Sequence, residues 1–120
     1  MLAGLHGLDH AVFLVRNLDA AALAWRALGF TLSPRGTHAA QWGTANHTLM
    51  LGADYLELLG VLQDTPLNRP MRDCLQRRGD CLERMALLSH DAAATAQALR
   101  DRGIDAHGPL ACGLRVRYSA

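Results

Sequence analysis

Leu8-Asp9-His10-Ala11-Val12-Phe13-Leu14-Val15, followed by Arg16-Asn17-Leu18-Asp19 and an alanine-rich run to Leu28-Gly29, is the stretch that decides the fold. Its opening is apolar and rich in strand formers, broken only by Asp9 and His10, and predicts a strand. Asn17 or Asp19 offers a side-chain oxygen to cap the helix that follows, Asp19 to Leu28. Leu18, Ala22, Trp25 and Leu28 recur at helical spacing as its apolar stripe, and Gly29 supplies the stop. A strand feeds directly into a helix.

Working outward, Phe30-Thr31-Leu32-Ser33 predicts a short strand, ended by Pro34 and Gly36. A polar stretch with Gly43 leads to a strand at His47-Thr48-Leu49-Met50-Leu51. Gly52-Ala53-Asp54 reads as a turn and Tyr55 to Val61 as the next strand, giving the order β-α-β-β-β. Pro66 and Pro70 bracket a loop, and Met71 to Arg78 predicts a short helix stopped by Gly79. Leu82 to Leu88 reads as a strand, Asp91 caps a helix from Ala92 to Arg102, and Ile104-Asp105-Ala106 begins another strand. His10 precedes Asp19 and Arg84 precedes Asp91 by similar spacings, a weak internal repeat with a period of about 70 residues. After Gly108-Pro109 only Leu114 to Tyr118 predicts a strand. The expected architecture is α+β: a βαβββ module over residues 1–62 on a curved mixed sheet, a linker with a short helix over 63–80, and an abbreviated second βαβ module over 81–120, together one domain.

Composition narrows the function. The 120 residues are half apolar, and 12 basic minus 11 acidic side chains leave a net charge of +1 with both signs scattered. That balance argues against a nucleic-acid binder or a polybasic membrane tether. Apolar runs are too short for a transmembrane helix, and Met1 to His6 lacks the pattern of a signal peptide. Cys74, Cys81 and Cys112 have no CxxC spacing, which with the missing signal predicts reduced thiols in a cytoplasmic protein. Every basic residue is arginine, so no lysine is present for Schiff-base chemistry.

His10 and Glu57 are ionisable groups inside otherwise apolar strands, a costly placement unless each has a partner. If the first and last strands of the unit pair, the two side chains can lie on one face, because neighbouring strands are about 4.8 Å apart. An imidazole and a carboxylate there either share a borderline divalent ion such as Zn, Ni, Fe or Mn or hydrogen-bond to each other.

Leu8-Asp9-His10-Ala11-Val12 with Asn17-Leu18-Asp19, a helix carrying Trp25, and Leu28-Gly29-Phe30 resembles the opening of the vicinal oxygen chelate superfamily. That superfamily includes glyoxalase I, bleomycin-resistance proteins and extradiol dioxygenases. Trp42-Gly43-Thr44-Ala45-Asn46-His47 and Gly52-Ala53-Asp54-Tyr55-Leu56-Glu57-Leu58 are similar to its glyoxalase-like domain branch. The resemblance covers residues 6–62 well and 80–106 loosely, and is more specific for fold than for reaction. It implies a cup built from two βαβββ modules, with His10 and Glu57 as the first module's metal ligands. In the second module the matching histidine falls at Arg84, and the matching glutamate belongs to a final strand that this sequence does not contain.

Arg84 therefore either binds a substrate carboxylate or phosphate or is a solvated edge residue. His47, in phase with Leu49 and Leu51, is either a third ligand or general base in the cup or a histidine hydrogen-bonded at a strand end. Tyr55 shares Glu57's face by alternation and either donates to a bound oxygen or fills the core. His38 and Trp42 lie on a loop that can cover the cup, or Trp42 anchors that loop. The resemblance implies a divalent-metal enzyme of isomerase, lyase or dioxygenase type with Glu57 at the chemistry, acting on a small molecule. The alternatives are a non-catalytic small-molecule binder and a truncated dimerising module. A sheet lacking its last strands leaves an unpaired edge, which predicts a homodimer.

Overall fold

The computed structural model describes residue 2 and residues 4–109. The helix predicted after the first strand starts where its cap requires: Asn17 Oδ1 accepts from the Ala20 amide at 2.9 Å. This satisfies one of the amides left without an intrahelical partner at a helix start. The elements are β1 (Leu5–Val15), α1 (Leu18–Ala27), β2 (Gly36–Thr37), β3 (Thr44–Met50), β4 (Tyr55–Val61), α2 (Arg69–Arg78), β5 (Cys81–Ser89) and α3 (Ala92–Arg100). The strands form one mixed sheet in the order β2-β3-β4-β1-β5. The architecture is α+β, as the element pattern predicts.

β1 and β4 are the central pair and run parallel, with His10 opposite Tyr55 and Val12 opposite Glu57. β3 is antiparallel to β4, placing Thr48 opposite Glu57 and Asn46 opposite Leu59. Because side chains alternate along a strand, this register assigns two faces. One carries Phe13, Val15, Ala45, Leu49 and Leu58, and packs against Leu18, Ala22 and Trp25 of α1. The other carries Val12, Leu14 and Leu59, covered by Met71, Cys74 and Leu75 of α2. His10 and Glu57 lie on this second face by alternation.

The residues divide into two compact units, 9–86 and the described parts of 1–8 with 87–120. The first holds both clusters above. In the second, the Asp91 side chain caps α3 by accepting from the Ala94 amide at 3.0 Å. There Ser89 Oγ and Thr95 Oγ1 are 2.7 Å apart, and the rings of His6 and His90 stack at 4.0 Å.

Several sequence expectations are corrected here. Phe30 to Ser33 is not a strand. Ser33 instead bonds β3 through its amide and its hydroxyl, both to the Thr48 backbone at 2.8 Å. Pro34, with no N–H to donate, stops the ladder there, and only Gly36–Thr37 pairs farther on. Leu28 does not join the α1 stripe but is 73% exposed. Ile104 to Ala106 forms no strand; the Ile104 amide bonds back to the Leu99 carbonyl and closes the end of α3. The strand expected over Leu114 to Tyr118 lies outside the described residues. Among the described residues no helix is long and apolar enough to cross a membrane.

Candidate functional site

The parallel pairing of β1 with β4 brings the two ionisable groups of the apolar strands together. His10 Nε2 lies 3.8 Å from Glu57 Oε2. Glu57 is only 8% exposed, so its charge needs partners inside the protein. One is Asn46 on β3, whose Nδ2 donates to Glu57 Oε1 at 2.9 Å. The other carboxylate oxygen is the one that faces His10.

The imidazole is fixed on two further sides. Asp9 Oδ2 sits 2.6 Å from His10 Nδ1. A carboxylate can only accept, so Nδ1 carries a proton, and in the neutral ring Nε2 presents a lone pair. The Tyr55 ring, directly opposite on β4, stacks on the imidazole at 4.5 Å with the planes 6° apart. A histidine whose far nitrogen donates to a carboxylate is the usual arrangement of a metal-binding imidazole.

With Nε2 and Oε2 both acceptors, the 3.8 Å gap repels unless something positive lies between them. That positive species is a proton, giving an imidazolium–carboxylate pair, or a metal cation. The donor set of one imidazole and one carboxylate suits a borderline divalent ion. Among the described residues no group of three or more His, Cys, Asp or Glu side chains could hold a metal. Further ligands would be water or substrate oxygens.

Beyond Asn46 the polar chain continues to the sheet edge. His38 Nε2 lies 3.5 Å from Asn46 Nδ2, and His38 Nδ1 lies 2.7 Å from Thr44 Oγ1. Gly36 pairs directly with Asn46 across β2 and β3.

The structure thus brings His10, Glu57 and Tyr55 together and leaves the other candidates elsewhere. His47 is a correction. It pairs with Leu58, whose side chain belongs to the α1 cluster, so alternation turns it away from His10. Its ring bonds the Ser33 carbonyl at 2.9 Å and it is 5% exposed. It is a buried linker of β3 to the segment before β2, not a ligand or base in the cup. Trp42 lies in the loop before β3, where its carbonyl accepts from Asn68 Nδ2 at 2.7 Å. Arg84, half exposed on β5, pairs with its neighbour Glu83 at 3.1 Å.

Asp9 and Asn46 are the residues sequence reasoning missed. Alternation places Asp9 on the face opposite His10, so only the side-chain torsions of adjacent residues bring them together. Asn46 looked like a loop former, but β3 begins two residues earlier, at Thr44.

A family model described as "Glyoxalase-like domain" matches residues 8–118. No curated protein matches the chain. Among solved structures, methylmalonyl-CoA epimerase from Mycobacterium tuberculosis is similar at 27% identity and a TM-score of 0.67, over 86% of this chain and 69% of that one. A methylmalonyl-CoA epimerase in complex with methylmalonyl-CoA and NH4+ matches at the same identity and score, over 84% of this chain and 72% of its own. So does a variant of the Streptomyces coelicolor epimerase in complex with 2-nitronate-propionyl-CoA, over the same shares. With the family model spanning most of the sequence and these structures sharing its fold, the chain belongs to the glyoxalase-like domain family of the vicinal oxygen chelate superfamily.

Proposed function

We propose that His10 and Glu57 are two ligands of a divalent metal ion, of the Zn, Ni, Fe or Mn kind, in a small-molecule enzyme, and that its reaction is an isomerisation. The observation that carries this reading is the aim of His10 Nε2 at Glu57 Oε2 across 3.8 Å while Asp9 occupies Nδ1. When bound, such an ion supplies positive charge to oxygens of the substrate on which negative charge develops. The rest falls to the chain. Asp9 sets the tautomer of His10, Tyr55 holds its plane, and Asn46 orients the carboxylate of Glu57.

Isomerisation is favoured over lyase or dioxygenase chemistry by the similarity to epimerases at 27% identity. It moves a proton away from and back to carbon, so it needs no oxidant. An acyl thioester is the substrate class to try first, since the similar structures carry CoA esters. The protein would act as a homodimer. β5 ends the strand order among the described residues and exposes Leu82 and Met85, and an open apolar edge favours pairing with a second copy. A single monomeric species by light scattering at tens of micromolar would remove that part.

Calorimetric titration with Co2+ tests the site, using wild type, His10→Ala and Glu57→Ala. Stoichiometric binding by wild type that drops at least 10-fold in both variants is expected. Solvent deuterium should then enter acyl-CoA beside its carbonyl only with metal present. Wild type that takes up no Co2+, or variants that bind it equally, would sink the assignment. A second reading rests on the want of a third nearby ligand among the described residues: a binder without catalysis. Ligand-induced stabilisation that ignores EDTA, with no deuterium uptake, would select it.

A further inference from the structure

The bond between Asn46 and Glu57 has a supporting frame of its own. A carboxylate on a flexible stem rotates broadly about its last torsion, so a ligand oxygen stays aimed only if the other oxygen is held. Asn46 Nδ2 holds Glu57 Oε1 at 2.9 Å, leaving Oε2 toward His10. The Asn46 amide is in turn confined. A Cβ on Gly36 would lie 2.5 Å from Asn46 Oδ1, closer than any real contact, so the absence of a side chain at Gly36 makes the space in which the amide lies. On its other hydrogen, Nδ2 faces His38 Nε2 at 3.5 Å, and His38 Nδ1 meets Thr44 Oγ1 at 2.7 Å. These contacts assign the amide: turned over, Asn46 would set oxygen against the Glu57 carboxylate and repel it.

We propose that Asn46 is the positioning residue of the His10–Glu57 site, held by Gly36 and His38, and that it sets the site's affinity for a divalent cation by orienting the Glu57 carboxylate. The inference rests on the metal reading of that site. Asn46 touches neither the cation nor substrate; it acts through Glu57. Outer partners of this kind are worth about 10- to 100-fold in metal affinity.

Co2+ is the probe, because its visible spectrum reports ligand geometry as well as occupancy. Asn46→Ala is expected to bind Co2+ about 10-fold more weakly with an altered visible band. Gly36→Ala should reproduce the Asn46→Ala loss, and the double variant should show no further loss, since both act on one bond. Thermal melts check folding, and Gly36→Ala and Asn46→Ser stand in if Asn46→Ala does not fold. If wild type binds Co2+ and His10→Ala does not, yet Asn46→Ala and Gly36→Ala match wild type in affinity and spectrum, the positioning role is wrong while the site stands. If wild type binds none, or His10→Ala binds as wild type does, the metal reading fails and this inference falls with it.

Discussion

Asp9 meets His10 edge-on, with Oδ2 2.6 Å from Nδ1, although the two are neighbours in one strand. The contact decides which nitrogen of the ring is available. Without the carboxylate the imidazole can place its proton on Nε2, where it would donate to Glu57 and close the gap to a cation.

Asp9→Asn is therefore expected to keep the fold while weakening Co2+ binding about 10- to 100-fold. Asp9 is partly exposed, so the melting temperature should move little. Calorimetry with a parallel thermal melt separates the two effects. Unchanged Co2+ affinity in Asp9→Asn would mean that the tautomer is set elsewhere.

His47 gives the opposite pattern. It is buried on the α1 face and bonded to the Ser33 carbonyl at 2.9 Å. His47→Ala removes that bond and leaves a cavity, for an expected loss of about 1–3 kcal/mol in urea unfolding. Co2+ affinity should stay at the wild-type value. A variant of normal stability that no longer bound the ion would return His47 to the site.

The difference between these two histidines explains what the sequence could show. His10 and Glu57 were legible because each interrupts an apolar strand, and because the first and last strands of the unit pair. His47 was misplaced because its face depends on the register between β3 and β4, where Thr48 and not His47 stands opposite Glu57. No local pattern encodes that offset. The strand expected at Phe30 to Ser33 failed for a similar reason: its residue types suit a strand, but Ser33 spends its amide and its hydroxyl on single bonds to Thr48. Asn46 was hidden because β3 starts at Thr44, three residues before the expected His47, which left it in the preceding polar stretch. Helix boundaries fared better, since Asn17 and Asp91 cap through local contacts that sequence carries directly.

Asn68 is the strongest single anchor of the loops around β3. It is fully buried and its Nδ2 donates to the Trp42 and Gln63 carbonyls at 2.7 and 2.8 Å. Its Oδ1 accepts from the Thr65 amide and from Arg72 Nε at 3.2 and 2.9 Å. Beside it, Gly43 adopts a positive φ of 59°, and a Cβ there would lie 2.2 Å from the Gln63 carbonyl, so the turn admits no side chain. Asn68→Ala strands several of these buried groups and should cost about 2–4 kcal/mol. A loss below about 0.5 kcal/mol, the range of a plain surface change, would show that water replaces the amide.

Cys74 on α2 and Cys81 on β5 bring their sulfurs to 3.6 Å beneath the His10 face, both half-buried and unbridged. Loss of solvent, and then the hydrogen bond and charge of Cys74, push the Cys81 thiol above its ordinary value. Because the thiolate is the reactive form, a raised value means that Cys81 stays protonated to higher pH than an unfolded cysteine does. Iodoacetamide at pH 8 should therefore label Cys81 more slowly in the native protein than in urea, the difference narrowing as pH rises. Peptide mass spectrometry at several time points reads the rates. A native rate at pH 8 equal to or above the unfolded one would show that the thiol is activated rather than suppressed, and would make the pair a reactive site in its own right.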